Sequence, residues 1–444
     1  MVGVMHAVRL GISAVSSPLE MGAGEAPAAL QKLRRALASM PDAQRLEVCA
    51  SERPVSDANS AAQAGRAFYE QRVDAICVLA TSWFEDYLVL DMLEECRVPV
   101  ITWARPGMET GALCGVQQLD LMLKELGWSY LFLFDEPDST TALQQAWEYA
   151  AAAGLYRYLR RARLGQLGHR VDGMTEATVH ELALKKVFGP RLVGIDTQQF
   201  LEQVARQPAG PAAELWQQLK RQVGQVTADD QAGIYAVQVY ATLKETISQA
   251  GLAAVAVGCY PHLMGKVCLA CSLLGEAGVP IACEGDVNGA LGMLMLSWLS
   301  GGAVHNTDLL DPIPAENTIV FSHCGNGGFS LAPGREHIHL APVRLMNCGV
   351  CCLFPARPGP VTLINLVPSM ANYRLAALYG KAIETDMVFP GNPLRVRFVS
   401  DYRAILSWIA AEGLGHHWMA AYGDLRPSLR HLAAMAGCEW LGKE

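Results

Sequence analysis

Two acidic side chains follow a short apolar run near the middle of the chain. Residues 279–283 predict a buried strand, and Glu284 and Asp286 come directly after it. Open α/β sheets bind ligands at the carboxyl ends of their strands, and alternate residues of an extended chain point to one side. Both carboxyl groups are therefore candidates for acid–base or metal chemistry. Asp286 has a second interpretation, because an aspartate just before the helical pattern at 289–299 is typical of a helix N-cap.

Further side chains with compatible chemistry lie downstream. Asp308 and Asp311 fit either a loop acid or a turn, and His323 ends an apolar run before a glycine-rich segment. His416 and His417 are adjacent, so on a strand they face opposite sides and one of them is expected to reach a given site. Neutral imidazole together with carboxylates is a ligand set that suits a divalent metal such as manganese.

Other motifs are weaker or missing. The pairs Cys268/Cys271 and Cys348/Cys351 are 80 residues apart in apolar surroundings, which favours buried thiols over a zinc knuckle. The sequence contains no P-loop, no Gly-x-Gly-x-x-Gly after a strand and no Gly-x-Ser-x-Gly elbow. These observations direct attention to the acids and histidines.

The elements that must position these side chains follow a clear order. Apolar runs alternate with helical patterns up to about residue 165, where the pattern breaks, and a second β/α stretch runs to about 310. Short strands between Pro/Gly turns follow. Strands alternating with helices predict parallel sheets. We therefore predict an α/β protein with two doubly wound parallel-sheet domains, 1–165 and 166–310, followed by a β-rich, barrel-like C-terminal domain, 311–444.

Composition excludes several classes of protein. The 444 residues are 51% apolar and 18% charged, with a formal net charge of −8. This balance argues against disorder and against nucleic-acid binding, which needs clustered Lys and Arg. The uncharged stretch 287–304 contains polar residues and glycines, so it predicts a buried helix and a glycine turn rather than a membrane span. Thirteen cysteines and a start without a secretory leader predict reduced thiols and a cytoplasmic location.

Several segments, taken in order, resemble the L-fucose/L-arabinose ketol-isomerase superfamily, and its fucose isomerase-like branch most closely. The resemblance runs from about residue 70 to the end, and its most specific parts are Cys-Glu-Gly-Asp at 283–286 and His-His-Trp-Met-Ala-Ala-Tyr-Gly-Asp at 416–424. The matching segments are 99–107, 167–174 with 188–189, 282–291, 306–308, 322–324, 358–363 and 416–424.

The resemblance implies a set of roles. Glu284 and Asp308 would bind the metal and also act as general acid and base. His417 would be the metal-binding histidine, with His416 nearby. His323 is a further candidate ligand, because the matching histidine of the arabinose branch binds metal. The implied metal is Mn²⁺, or another divalent cation such as Co²⁺ or Mg²⁺. The N-terminal domain would supply substrate and oligomer contacts, the second domain the acidic site and the third the histidine. Members of the family are usually oligomeric, so the resemblance also implies a homo-oligomer in which the N-terminal domain of a neighbouring subunit lines the pocket.

The implied reaction is the interconversion of an aldose and a ketose through an enediol(ate), with a sugar as the small-molecule partner. It moves a proton between C1 and C2, which a carboxylate can do once the carbonyl oxygen is polarised by a divalent cation. Two alternatives remain open at this point. One is a non-catalytic sugar-binding or regulatory protein on the same fold, and the other is a metal-dependent lyase or epimerase for a modified sugar. A binding protein has no need of an acid–base pair, and this favours the isomerase.

Overall fold

The computed structural model describes residues 6–443, which divide into two compact units. The first unit comprises residues 6–158 and 427–435, and the second comprises 159–426 and 436–443. Within residues 6–443, no helix combines the length and the apolar character that crossing a membrane requires.

The first unit is a parallel sheet of five strands with helices. The strands are β1 (Val8–Val15), β2 (Leu46–Ala50), β3 (Ala75–Ala80), β4 (Val100–Ala104) and β5 (Tyr130–Phe134). The helices are α1 (Ala26–Ala38), α2 (Ala58–Glu70), α3 (Tyr87–Glu95), α4 (Ala112–Glu125), α5 (Thr140–Leu159) and most of α13 (Arg426–Ala436). The strand order is β2-β1-β3-β4-β5. Strands β3 and β4 are buried along their whole length, as expected for parallel strands covered on both faces.

The second unit begins with another parallel sheet. Its strands are β6 (Arg163–Leu167), β7 (Arg191–Ile195), β9 (Ala254–Val257) and β10 (Ile281–Ala282), in the order β10-β9-β6-β7. The helices of this stretch are α6 (Glu181–Val187), α7 (Thr197–Arg206), α8 (Ala209–Lys220), α9 (Asp230–Ala250), α10 (Cys268–Glu276) and α11 (Val287–Ser300).

A β-rich region completes the second unit. It contains β11 (His305–Ile313), β12 (Thr318–Ser322), β15 (Gly359–Pro368), β16 (Tyr373–Ala382), β17 (Leu394–Arg397), β18 (His417–Tyr422), β19 (Glu439–Lys443) and helix α12 (Tyr402–Ala411). These strands pair in the order β15-β18-β11-β12-β17-β16-β19, and β15 also pairs with β16. Six of them therefore form a near-closed antiparallel ring. A smaller sheet pairs β14 (Cys348–Leu353) with β13 (His339–Val343) and β13 with β8 (Gln225–Val226). The predicted fold class is confirmed.

Helix α11 links the second parallel sheet to the ring. It is buried over almost its whole length and ends at Gly301, whose φ of 69° closes the helix in the left-handed region. The buried helix and glycine turn predicted for 287–304 are thus confirmed. The helix packs against β9 and β10 on one side and against β15 and β18 on the other. Its first turn therefore lies between the two sheets, where the predicted site residues converge.

The sequence prediction missed a strand at the start of the second unit. Residues 163–167 form β6 in the middle of the second sheet, where the sequence pattern indicated a break. Gly165 interrupts the apolar pattern of this strand. The side chain of Leu252 packs closely against it, since a Cβ at position 165 would lie 2.7 Å from Cδ1 of Leu252. The division into three domains at 165 and 310 stays a prediction.

Candidate metal centre

Glu284 stands in a strained turn at the carboxyl end of β10. Its φ of 63° lies in the left-handed region, which a non-glycine residue adopts only where its surroundings impose it. Its carbonyl oxygen accepts a hydrogen bond from the Val171 amide (3.2 Å), and the next amide, of Gly285, donates to Val257 of β9 (2.9 Å). The turn is therefore tied to the edge of the parallel sheet, and it fixes where the carboxylate points.

Asp308 and His417 lie opposite each other on neighbouring strands of the ring. Strands β11 and β18 are antiparallel, and their register pairs these two residues. The next residue of β18, Trp418, packs into the core of the ring. Because neighbouring residues of a strand face opposite sides, His417 and its partner Asp308 point to the outer face, where α11 and Glu284 lie. Nε2 of His417 is 3.2 Å from Oε2 of Glu284 and 3.5 Å from Oδ1 of Asp308. The structure thus brings together three predicted residues that are up to 133 positions apart in sequence.

The two remaining predicted histidines lie at the rim of this cluster. His323 directly follows β12 and is buried, with Nε2 3.9 Å from Oδ1 of Asp308. His416 precedes β18, so strand alternation does not hold it on the opposite face from His417, and the two rings are 4.3 Å apart. Nδ1 of His416 pairs with the carboxylate of Glu176, and both side chains are partly exposed. Both histidines therefore lie within reach of the cluster, and their binding of a metal stays a prediction.

Two groups of three side chains each bring their donor atoms close enough to hold a cation, and His417 belongs to both. The ligand atoms of Glu284, His323 and His417 all lie within 4.8 Å of one another, and so do those of Asp308, His416 and His417. Oδ1 of Asp308 is buried and makes no hydrogen bond to any residue in the described part of the chain. Carboxylate oxygens and imidazole nitrogens suit a divalent cation of the first transition row or a harder ion. The residues present therefore fit a bound metal.

The pKa shifts of the clustered side chains also favour positive charge at this site. Burial disfavours a charged His417, but its hydrogen bonds to Asp286 and Glu284 outweigh burial and raise its pKa to about 10. Burial likewise opposes protonation of His323, while the charge of Asp308 raises its pKa to about 10. Burial by itself would raise the pKa of Glu284, yet the hydrogen bond from His417 and the neighbouring histidine charges lower it. The carboxylates thus concentrate positive charge at this point.

The metal-free protein is expected to lose stability as the pH rises from about 6.5 to about 10. In the unfolded chain His323 and His417 lose their protons near pH 6.5, whereas in the folded chain they keep them until about pH 10. This contribution is complete below pH 6.5 and disappears as the pH rises through about 10. Urea unfolding of chelator-treated protein between pH 6 and pH 10 measures it, since the slope of stability against pH reports bound protons.

His417→Asn should make this fall with pH shallower, because one of the two titrating groups is removed. The exposed His262 provides a matched control, since His262→Asn removes a histidine outside the cluster. Equal slopes for wild type and His417→Asn would contradict the assignment of protons to this cluster.

Two further polar side chains, Asp286 and Asn306, lie beside these residues. Asp286 caps α11, which is one of its two predicted interpretations: its Oδ1 accepts a hydrogen bond from the Gly289 amide (2.9 Å). Its Oδ2 also lies 2.8 Å from Nδ1 of His417. Asn306 lies two residues before Asp308 on β11, so both face the cluster side of the strand. Asn306 is buried, and among the described residues neither amide atom has a hydrogen-bond partner. Its position two residues before an acid was the available signal.

The chain is similar in sequence to curated sugar isomerases. It is 24% identical over 375 residues to the sulfoquinovose isomerase of Alkalicoccus urumqiensis, covering 82% of this chain and 84% of the relative. The sulfoquinovose isomerase of Priestia megaterium is 23% identical over 379 residues, covering 83% and 85%. The chain is thus a distant homologue of sugar isomerases. The alignments span most of both chains, so the similarity is not confined to one motif.

Other comparisons add little. No protein-family model matches the chain. Among solved structures, an ABC transporter solute binding protein from Agrobacterium vitis with bound D-fucose is 14% identical and covers 56% of this chain and 76% of its own, with a TM-score of 0.17. A likeness at that TM-score supports no conclusion about fold or ligand.

Proposed function

We propose that this chain is a divalent-metal-dependent aldose–ketose isomerase that works through an enediol(ate). The observation that carries the proposal is the convergence of two carboxylates, Glu284 and Asp308, on Nε2 of one buried histidine, His417. The side chains of Glu284 and Asp308 are 20% and 28% exposed, so a small ligand can reach them, while that of His417 is 7% exposed. The distant homology to sugar isomerases supports the same reaction class.

Each residue of the cluster has a role in the proposed reaction. A bound Mn²⁺, Co²⁺ or Mg²⁺ would polarise the carbonyl and hydroxyl oxygens of the sugar as a Lewis acid. Glu284, Asp308 and His417 would hold that ion, with His416 or His323 as a further ligand. One carboxylate of the pair removes the proton from C2 of the aldose and returns it to C1. The other moves the hydroxyl proton from O2 to O1, which leaves a ketose.

A screen of candidate sugars can identify the substrate. The curated relatives are named for sulfoquinovose, so we propose this sugar as the first substrate to test, alongside unmodified five- and six-carbon aldoses. The experiment incubates each aldose with purified protein and Mn²⁺ and looks for the corresponding ketose by NMR. Appearance of a ketose from any sugar supports the proposal. Binding of sugars without conversion favours a sugar-binding or regulatory protein, and a cleaved or epimerised product favours a lyase or epimerase.

Three further expectations stay predictions. They are the homo-oligomeric assembly, the contribution of a neighbouring subunit to the pocket, and the cytoplasmic location.

A further inference from the structure

We propose that Asp286 is a positioning residue that holds His417 in the one tautomer and orientation able to bind the metal. The inference rests on the proposed function, since it concerns the metal-binding nitrogen of that site. Asp286 does not reach the point where Glu284 and Asp308 converge, because its carboxylate contacts Nδ1, the opposite nitrogen of the His417 ring.

The hydrogen bond to Asp286 decides which ring nitrogen of His417 carries the proton. A carboxylate accepts hydrogen bonds only, so the contact of 2.8 Å requires that Nδ1 of His417 carries a hydrogen. In the neutral ring the lone pair is then on Nε2, which faces Glu284 and Asp308. Histidines that bind metals commonly have such a partner on the other nitrogen, which fixes the tautomer and ring orientation.

Asp286 is itself held in place by the start of α11. Its Oδ1 accepts a hydrogen bond from the Gly289 amide, so one carboxylate caps a 14-residue helix with one oxygen and orients the histidine with the other. Both side chains of the pair are 7% exposed, so water competes little for either bond. The position of the helix therefore sets the position of the metal-binding nitrogen.

Two substitutions separate the positioning role from the capping role. Asparagine and serine are both good N-caps, so Asp286→Asn and Asp286→Ser can each keep the bond to Gly289. In Asp286→Asn the amide then turns its NH₂ group towards Nδ1 of His417, which favours a proton on Nε2, the wrong nitrogen. In Asp286→Ser the cap remains and Nδ1 only loses its partner. A purely structural cap predicts equal effects, whereas the positioning role predicts that Asn is worse than Ser.

The test is titration calorimetry of Mn²⁺ into metal-free protein, with thermal unfolding of the same samples without metal. We expect Mn²⁺ affinity to fall by about 10-fold in Asp286→Ser and by about 100-fold in Asp286→Asn, the range found for such partners of metal ligands. The matched control is Asp229→Asn, because Asp229 caps α9 through the Ala232 amide (2.8 Å) and lies outside the cluster. This control should bind Mn²⁺ as the wild type does.

The outcomes distinguish the two proposals. If the wild type binds no Mn²⁺, the proposed metal-dependent function fails, and the positioning role fails with it. If the wild type binds Mn²⁺ and Asp286→Asn binds it equally well, only the positioning role is overturned. Equal losses in the Asn and Ser variants would also overturn it, because they would indicate a structural cap. If Asp286→Asn does not fold, Asp286→Ser decides alone, since unchanged Mn²⁺ affinity in that variant would overturn the role.

Discussion

Replacing Glu284 by glutamine is expected to lower isomerase turnover by at least about 10³-fold while the protein stays folded. The substitution keeps the size of the side chain but removes a proton acceptor, and a positioned general base typically contributes about 10²- to 10⁴-fold. It also removes one of the two anionic oxygens that approach Nε2 of His417. Both losses act on the same reaction, so the effect should be at the upper part of this range.

Turnover of the sugar converted by wild type, measured together with the thermal midpoint, tests this expectation. The exposed Glu214 provides the matched control, since Glu214→Gln makes the same chemical change away from the cluster. That variant should be as active as wild type. Turnover in Glu284→Gln comparable to wild type would remove Glu284 from the acid–base pair.

A substitution one residue further on should damage the site without removing any functional group. Gly285 has a φ of 70°, and a Cβ added there would lie 2.5 Å from the carbonyl oxygen of His169 and 2.6 Å from the Arg170 amide nitrogen. We expect Gly285→Ala to cost about 1–3 kcal/mol of stability, because a strained backbone conformation is combined with a backbone collision. Displacing the turn by about 1 Å would move Glu284, and such misplacement can reduce activity by about 10²-fold.

A substitution at Gly251 separates the cost of the left-handed backbone from the cost of the collision. It has a φ of 61° at the end of α9, and among residues 6–443 a Cβ there would meet only Nη1 of Arg163, at 3.7 Å. Gly251→Ala therefore reports the cost of the left-handed backbone alone, measured by urea unfolding. It should leave activity unchanged, whereas Gly285→Ala should lower both stability and activity. Full activity in Gly285→Ala would show that the turn does not position Glu284.

Much of the fold follows from local sequence patterns. The apolar runs of β3 and β4 and the helical periods between strands predicted a parallel sheet, and the uncharged stretch after Asp286 predicted α11. Strand β6 was missed because Gly165 and Gln166 interrupt its apolar run, and the side chain that packs against Gly165 belongs to Leu252, almost 90 residues away. Packing between distant segments leaves no mark on a local pattern.

Local sequence patterns also predicted the site only in part. Glu284 could be singled out because it follows a strand, but its left-handed backbone depends on the Val171 amide and on β9. Asp308 fitted a loop acid or a turn in the sequence, whereas the structure places it in the pairing of β11 with β18. The second contact of Asp286 with His417 joins residues 131 positions apart. Only the folded chain shows that one carboxylate has both roles.

The central claim is metal-dependent proton transfer at C2 of a sugar, and solvent exchange measures it most directly. Protein stripped of metal and protein reconstituted with Mn²⁺ are incubated in D₂O with sulfoquinovose and with a panel of aldoses, and deuterium at C2 is followed by NMR. We predict that deuterium enters C2 of at least one sugar in the reconstituted protein, that its ketose appears, and that the stripped protein shows neither. If the reconstituted protein binds Mn²⁺ and a sugar but neither exchanges the C2 proton of that sugar nor forms its ketose, the account is contradicted.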